Sequence, residues 1–259
     1  MPIFVKTKML APVIAKTVDS AVQSWPDYKG GQLDRTKFVS SSSTGKCERQ
    51  VYFASTADPL TKGKFPWGYA QRGHSHEAWV VEQLRSSNAG ITFMLIGDQQ
   101  VSFFAGDQSG TPDGMAKSAT QTYLLEFKSI DPRTNINYLP KEVALKQCVQ
   151  NMDLIEHCYD MKLDGALLLY SNCSDYSLMY EFWIDRNQPE VDQMMLDLED
   201  RAVRINNATS PDQLEPEGIY NGDCKNCSYK AICSATVEKT KLEKMQHDKL
   251  SKTGGALFG

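Results

Sequence analysis

Two sets of residues in this chain are of types that do chemistry. The first is Asp113 with Glu126-Phe127-Lys128. Hard carboxylate oxygens suit magnesium or manganese. Such a cation lowers the pKa of a bound water and neutralises charge on a scissile phosphate, and a lysine alongside orients the water or stabilises the transition state. The second set is Cys47 near one end and the C-x2-C-x5-C run Cys224, Cys227, Cys233 near the other. Four thiolates complete one [4Fe–4S] cluster or one tetrahedral zinc. The run plus one distant cysteine is unlike the paired C-x2-C knuckles of zinc ribbons.

The bare acidic-x-Lys pattern carries nothing alone, since Asp27-Tyr28-Lys29, Asp160-Met161-Lys162 and Asp223-Cys224-Lys225 also match it. Context separates Glu126-Phe127-Lys128. It ends an apolar strand containing Tyr123-Leu124-Leu125, Phe127 is expected to face the core, and alternation puts Glu126 and Lys128 on one face. Asp113 is expected at the tip of the preceding hairpin, between Gly110 and Gly114. Upstream, Gly73 precedes polar helical turns in which Glu77 can serve as a third metal ligand, with His76 the alternative on a different side of the helix. Downstream, Gln147 and Gln150 share one helical face, from which a glutamine can hold the lysine, the water or a phosphate.

The elements that must position these groups follow from periodicity and turn residues. Helices are expected over 11–25, after the Ser40–Thr44 run (carrying Cys47, Arg49 and Tyr52), over about 69–85, 140–160 and 190–207, and in a Lys-rich stretch at 236–252. Strands are expected at 91–97, 100–106, 122–130, 165–170 and 178–185. Residues 58–66 and the cysteine run read as loops. This order suits an α/β sandwich around a mixed central sheet.

With 259 residues, 41% hydrophobic and 23% charged, the chain has the composition of an ordinary globular protein. Its net charge of −4 counts mildly against nucleic acid, although an acidic outer surface can hide a basic groove. No apolar run is long enough to span a bilayer, and Lys6, Lys8 and Lys16 interrupt the N-terminal segment, so an intracellular, reducing location is expected. There, clustered cysteines read as metal ligands rather than disulfides. Cys148, Cys158 and Cys173 read as plain thiols.

As a set, these motifs resemble the PD-(D/E)xK nuclease superfamily, and within it the RecB-like exonuclease branch with a four-cysteine iron–sulfur cluster. That branch includes CRISPR-associated exonucleases, AddB-type nuclease domains and phage exonucleases. The matching residues are Ser43…Cys47-x-Arg49…Tyr52, Gly73 to Glu77, Gly110-Thr111-Pro112-Asp113-Gly114, Glu126-Phe127-Lys128, Gln147 (with Gln150 as fallback), and the three C-terminal cysteines. The branch often carries histidine where Glu77 sits.

The resemblance implies a restriction-endonuclease-like core at about 68–190, within a domain over 1–235 whose cluster ligands lie in helical segments at both ends. A Lys-rich helix and tail over 236–259 follow. It implies magnesium or manganese on Glu77, Asp113 and Glu126, with Lys128 and Gln147 completing the catalytic set. A [4Fe–4S] cluster, or alternatively structural zinc, falls on the four cysteines. The implied substrate is DNA at a free end, in recombination, repair or replication, possible in a phage-infected host cytoplasm. Ala256-Leu257-Phe258 in the tail is a candidate contact for a replication or recombination partner. The rival reading is a non-catalytic or redox-sensing iron–sulfur module that binds DNA or assembles with partners.

Overall fold

The computed structural model describes residues 38–57, 67–87, 90–221 and 223–233. The expected helices at 11–25 and 236–252, the loop at 58–66 and the Ala256–Phe258 contact lie outside the described residues.

The central sheet is mixed. Its order is β2 (Thr92–Met94), β5 (Gly114–Lys117), β6 (Thr122–Ile130), β7 (Gly165–Asn172), β8 (Asp175–Asp185). β6 and β7 run parallel, and the other neighbours are antiparallel. The parallel pair needs a crossover, which α3 (Glu142–Tyr159) supplies. Apolar side chains occupy both faces of β6, as befits a strand covered on both sides. Leu124 joins a core with Cys148, Met152 and Ile155 of α3, whereas Leu125 and Phe127 join Val80 and Val81 of α2 (Trp67–Ser86). Phe127 thus faces a core as expected, and Glu126 shares the α3 side with Leu124.

A smaller sheet, in the order β1 (Val39–Ser40), β4 (Gln108–Gly110), β3 (Phe103–Ala105), lies beside α3. α1 (Glu48–Thr56) and α4 (Pro189–Asn207) pack on each other and, with β1, enclose Val39, Val51, Ala202 and Ile205. In α4 the buried residues Val191, Met195, Leu198, Ala202 and Ile205 recur at helical spacing. α5 (Gly218–Asn221) leads toward the cysteine run, which begins in a short 3-10 turn at Asp223–Lys225. No helix among the described residues is long and apolar enough to cross a membrane.

Four local expectations need correction. Asp113 is not at a hairpin tip: β4 and β5 belong to different sheets, so it lies on the passage between them. Gly-Met-Ala-Lys forms β5, although it lacks the β-branched and aromatic residues that mark a strand; pairing with β6 and β2 makes it one. Gly73 lies inside α2, and Cys47 is the residue before α1 rather than part of it.

Candidate active site and thiol cavity

Asp113 and Glu126 meet because β5 starts where it does. Gly114 pairs with Leu125, which brings the preceding residue alongside Glu126-Phe127. Asp113 Oδ2 accepts a 2.7 Å hydrogen bond from the Phe127 backbone N–H, which fixes its carboxylate at the strand. Glu126 is fully buried, its Oε1 paired with Lys128 Nζ. This is the same-face relation that strand alternation predicts.

The electrostatics of the group are unusual. Burial, then the charge of Asp113, pushes Glu126 up to about 8, against the pull of Lys128. Burial also raises Asp113, opposed by Lys128 and by the Phe127 N–H. The two carboxyls approach closely enough to hydrogen-bond to each other. Burial and Asp113 push Glu77 up to about 7. Burial acts to lower Lys128, but Glu126 and Asp113 outweigh it and hold its ammonium above the ordinary value. Three acids of raised pKa around one lysine make a site where positive charge is strongly favoured.

Glu77 enters from α2, and Gln100 donates a 2.6 Å hydrogen bond to its Oε1. His76 points elsewhere. Its ring is buried edge-on to Tyr176, with centroids 5.4 Å apart, and burial lowers its pKa. His74, which carried no separate role in the sequence, lies close enough to Asp113 to favour its ionised form.

On α3 the glutamine nearer the carboxylates by motif, Gln147, is buried. Gln150 is committed to the small sheet: its Nε2 donates to Val39 O at 3.0 Å and Ser109 O at 3.1 Å. The residue that touches Glu126 is Asn151, whose Nδ2 donates to Oε2 at 3.3 Å from a fully buried position. No sequence signal singled out Asn151 or Gln100; Asn151 does stand one helical turn after Gln147, and so on the same face.

Cys47, Cys224, Cys227 and Cys233 all line one cavity, together with Phe53 and Tyr229. Burial raises the Cys227 thiol, and the neighbouring Cys224, Cys47 and Cys233 raise it further. All seven cysteines are described, and none is in a disulfide. Arg49 and Tyr52 clamp the chain that leads to this cavity. Arg49 Nε donates to Leu214 O at 2.9 Å and pairs with Asp212, while the Tyr52 hydroxyl donates to Thr209 O at 3.2 Å. Among the described residues, no three His, Cys, Asp or Glu side chains already form a cage for a single ion.

No family model matches the chain, and no curated protein matches it by sequence. Two solved structures are similar in fold at a TM-score of 0.46. The protein SSO0001 is 14% identical, over 88% of this chain and 98% of its own. The alkaline exonuclease LHK-Exo from Laribacter hongkongensis is 16% identical, over 66% of this chain and 89% of its own. Likeness at this level transfers no activity.

Proposed function

We propose that this protein is a magnesium- or manganese-dependent deoxyribonuclease of the PD-(D/E)xK type, an exonuclease that hydrolyses phosphodiester bonds from DNA ends. The observation that carries the reading is the convergence of Asp113, Glu126 and Lys128 from two adjacent strands, with Glu77 brought to them from α2. The fit to a divalent cation rests on the chemistry of these donors. They are all hard oxygens, buried or half-buried; burial raises all three, and the charge of Asp113 raises Glu77 and Glu126 further, so a cation in their midst would be favoured. A bound cation supplies Lewis-acid polarisation of the phosphate and of the attacking water.

The chain's own residues do the rest. Phe127 N–H fixes Asp113, Gln100 fixes Glu77, and Asn151 fixes Glu126, so the three carboxylates are held before any ligand arrives. Lys128 is an ammonium at any physiological pH and acts on charge: it faces the phosphate oxygen or orients the water rather than removing a proton. Gln147 supports the site from α3. The four cysteines would hold a [4Fe–4S] cluster, for which a cavity lined by four thiols is chemically fitted, with zinc the alternative. The setting is intracellular DNA recombination, repair or replication.

The test is a time course on end-labelled linear single- and double-stranded DNA, with a closed circular control, using anaerobically purified protein and either cation. Wild type should shorten linear DNA only when metal is present, and Lys128→Ala should not. Absence of cleavage on every substrate would sink the reading in favour of a binding or redox module.

A further inference from the structure

Beside the carboxylates lies a second constellation that hydrolysis does not use. Tyr69, in the first turn of α2, is 65% exposed, and the Arg72 guanidinium sits 5.3 Å from its ring centroid. Arg72 Nε is buried and has no hydrogen-bond partner among the described residues. Across from them, the connection from β6 to α3 brings Arg133, whose side chain is 88% exposed. Arg133 pairs with Asp131 through Nε at 2.8 Å and Nη2 at 3.1 Å. The two halves face one field: Arg72 lies within electrostatic reach of Asp131, and Tyr69 within reach of Arg133. The same connection exposes Ile136 and Tyr138.

We propose that Tyr69, Arg72 and Arg133 form a subsite that stacks an unpaired base and grips its phosphates, feeding a single strand toward Asp113, Glu126 and Lys128. This rests on the nuclease reading and deepens it to a substrate class. Two guanidiniums against the single carboxylate of Asp131 leave net positive charge on an otherwise acidic protein. An exposed tyrosine ring backed by an arginine is a platform for a π-face. Along a single strand each base can offer that face, whereas inside a duplex it is covered by its neighbours. Position fits as well. Tyr69 lies eight positions before Glu77 on α2, about 12 Å at about 1.5 Å per residue, a span of roughly three to four nucleotides at about 3.4 Å each. Arg133 follows closely on the strand that carries Lys128.

The experiment measures affinity by fluorescence anisotropy in EDTA, with the full anaerobically purified chain. The probes are a labelled oligothymidylate and a labelled blunt duplex of equal length. Tyr69→Ala should weaken single-strand binding about tenfold, with Tyr69→Phe near wild type. Arg133→Ala should reduce the slope of log affinity against log salt by about 0.7 on the single strand. The duplex should be affected much less. Unchanged single-strand affinity in Tyr69→Ala, or equal losses on both probes, would overturn the subsite. Binding in EDTA is independent of cleavage, so a protein that binds as described but never cuts would defeat the nuclease reading alone. Both substituted side chains are exposed, and melting temperatures check that the variants fold.

Discussion

At the scale of single residues, the site trades stability for function. Glu126 is buried beside Asp113, and Lys128, with hydrogen bonds from Asn151 and the Phe127 N–H, offsets the cost of holding them there. Glu126→Gln keeps the shape and removes one of the two charges. In EDTA it should melt later than wild type, by about 1 kcal/mol, because a buried carboxyl that must either bear charge or take up a proton on folding has been exchanged for a neutral amide. Cleavage should fall by at least about a hundredfold with the loss of a metal-binding oxygen. A melting curve in EDTA and a cleavage rate at saturating manganese check the two halves, and a variant that melts earlier would contradict the repulsion account. Asn151 tests the opposite case, a residue that steadies the carboxylate without being a metal ligand. Asn151→Ala leaves Glu126 Oε2 without its 3.3 Å donor. Loss of that buried bond should cost about 1–3 kcal/mol, and cleavage at limiting manganese should suffer more than at saturation. An equal loss at both concentrations would mean that Asn151 only supports packing.

At the scale of elements, the sequence made the strands and helices that carry the chemistry legible, but not how close they come. The helix at 69–85, the strand at 122–130 and the crossover helix at 140–160 stand close to where periodicity puts them. Glu126 and Lys128 share a face because a strand alternates, which is a local rule. Asp113 joins them through a registration between β5 and β6 that no local rule contains, and β5 itself has weak strand character. Gln100 and Asn151 were missed for the same reason: each acts across a tertiary contact. Two glycines separate the local from the tertiary. A Cβ at Gly110 would overlap Asn151 Oδ1 and lie 2.8 Å from Leu154 Cδ1, so Gly110→Ala must turn these buried side chains aside or push β4 off α3. It should lower stability by about 1–3 kcal/mol and slow cleavage by displacing Asn151. Gly73, which the motif match makes equally prominent, meets nothing within 4 Å and lies inside α2. Gly73→Ala should raise stability by about 0.5–1 kcal/mol through helix propensity. Thermal unfolding of the two variants side by side decides whether the close approach at Gly110 is as tight as described.

At the scale of the whole molecule, α1 and α4 are tied to the segment that carries the C-terminal cysteines. Glu48 is buried and pairs with Arg204 at 2.8 Å, and Arg201 Nη1 donates to Glu217 at 2.6 Å. Burial acts to raise Glu217, but Arg201 and the Glu48 N–H outweigh it and hold its carboxyl below the ordinary value. A depressed folded pKa contributes stability above the unfolded value, lost as pH falls through the folded one. Glu217→Gln should therefore cost about 1 kcal/mol at neutral pH, discounted for its partial exposure, and nothing once acid has protonated the wild type. Melting both proteins across that pH range checks the convergence. The proposed metal at the four cysteines would add a second link. As a thiol, Cys47 donates to Glu215 O at 3.7 Å, and Cys47→Ser keeps a small donor at that place while removing a soft ligand. Local packing is thus retained, and what is lost is the link between one end of the described fold and the cysteine run at the other. Closing so long a loop contributes several kcal/mol, on the order of 3–5 by the entropy of cross-linking. Cys47→Ser should lose iron and acid-labile sulfide together, or zinc if zinc is the native metal, and should melt by correspondingly less free energy. A variant that melts like wild type and holds the same metal would leave the cavity as four neighbouring thiols, with the segments joined by the contacts of Glu48, Arg49, Tyr52, Arg201 and Glu217.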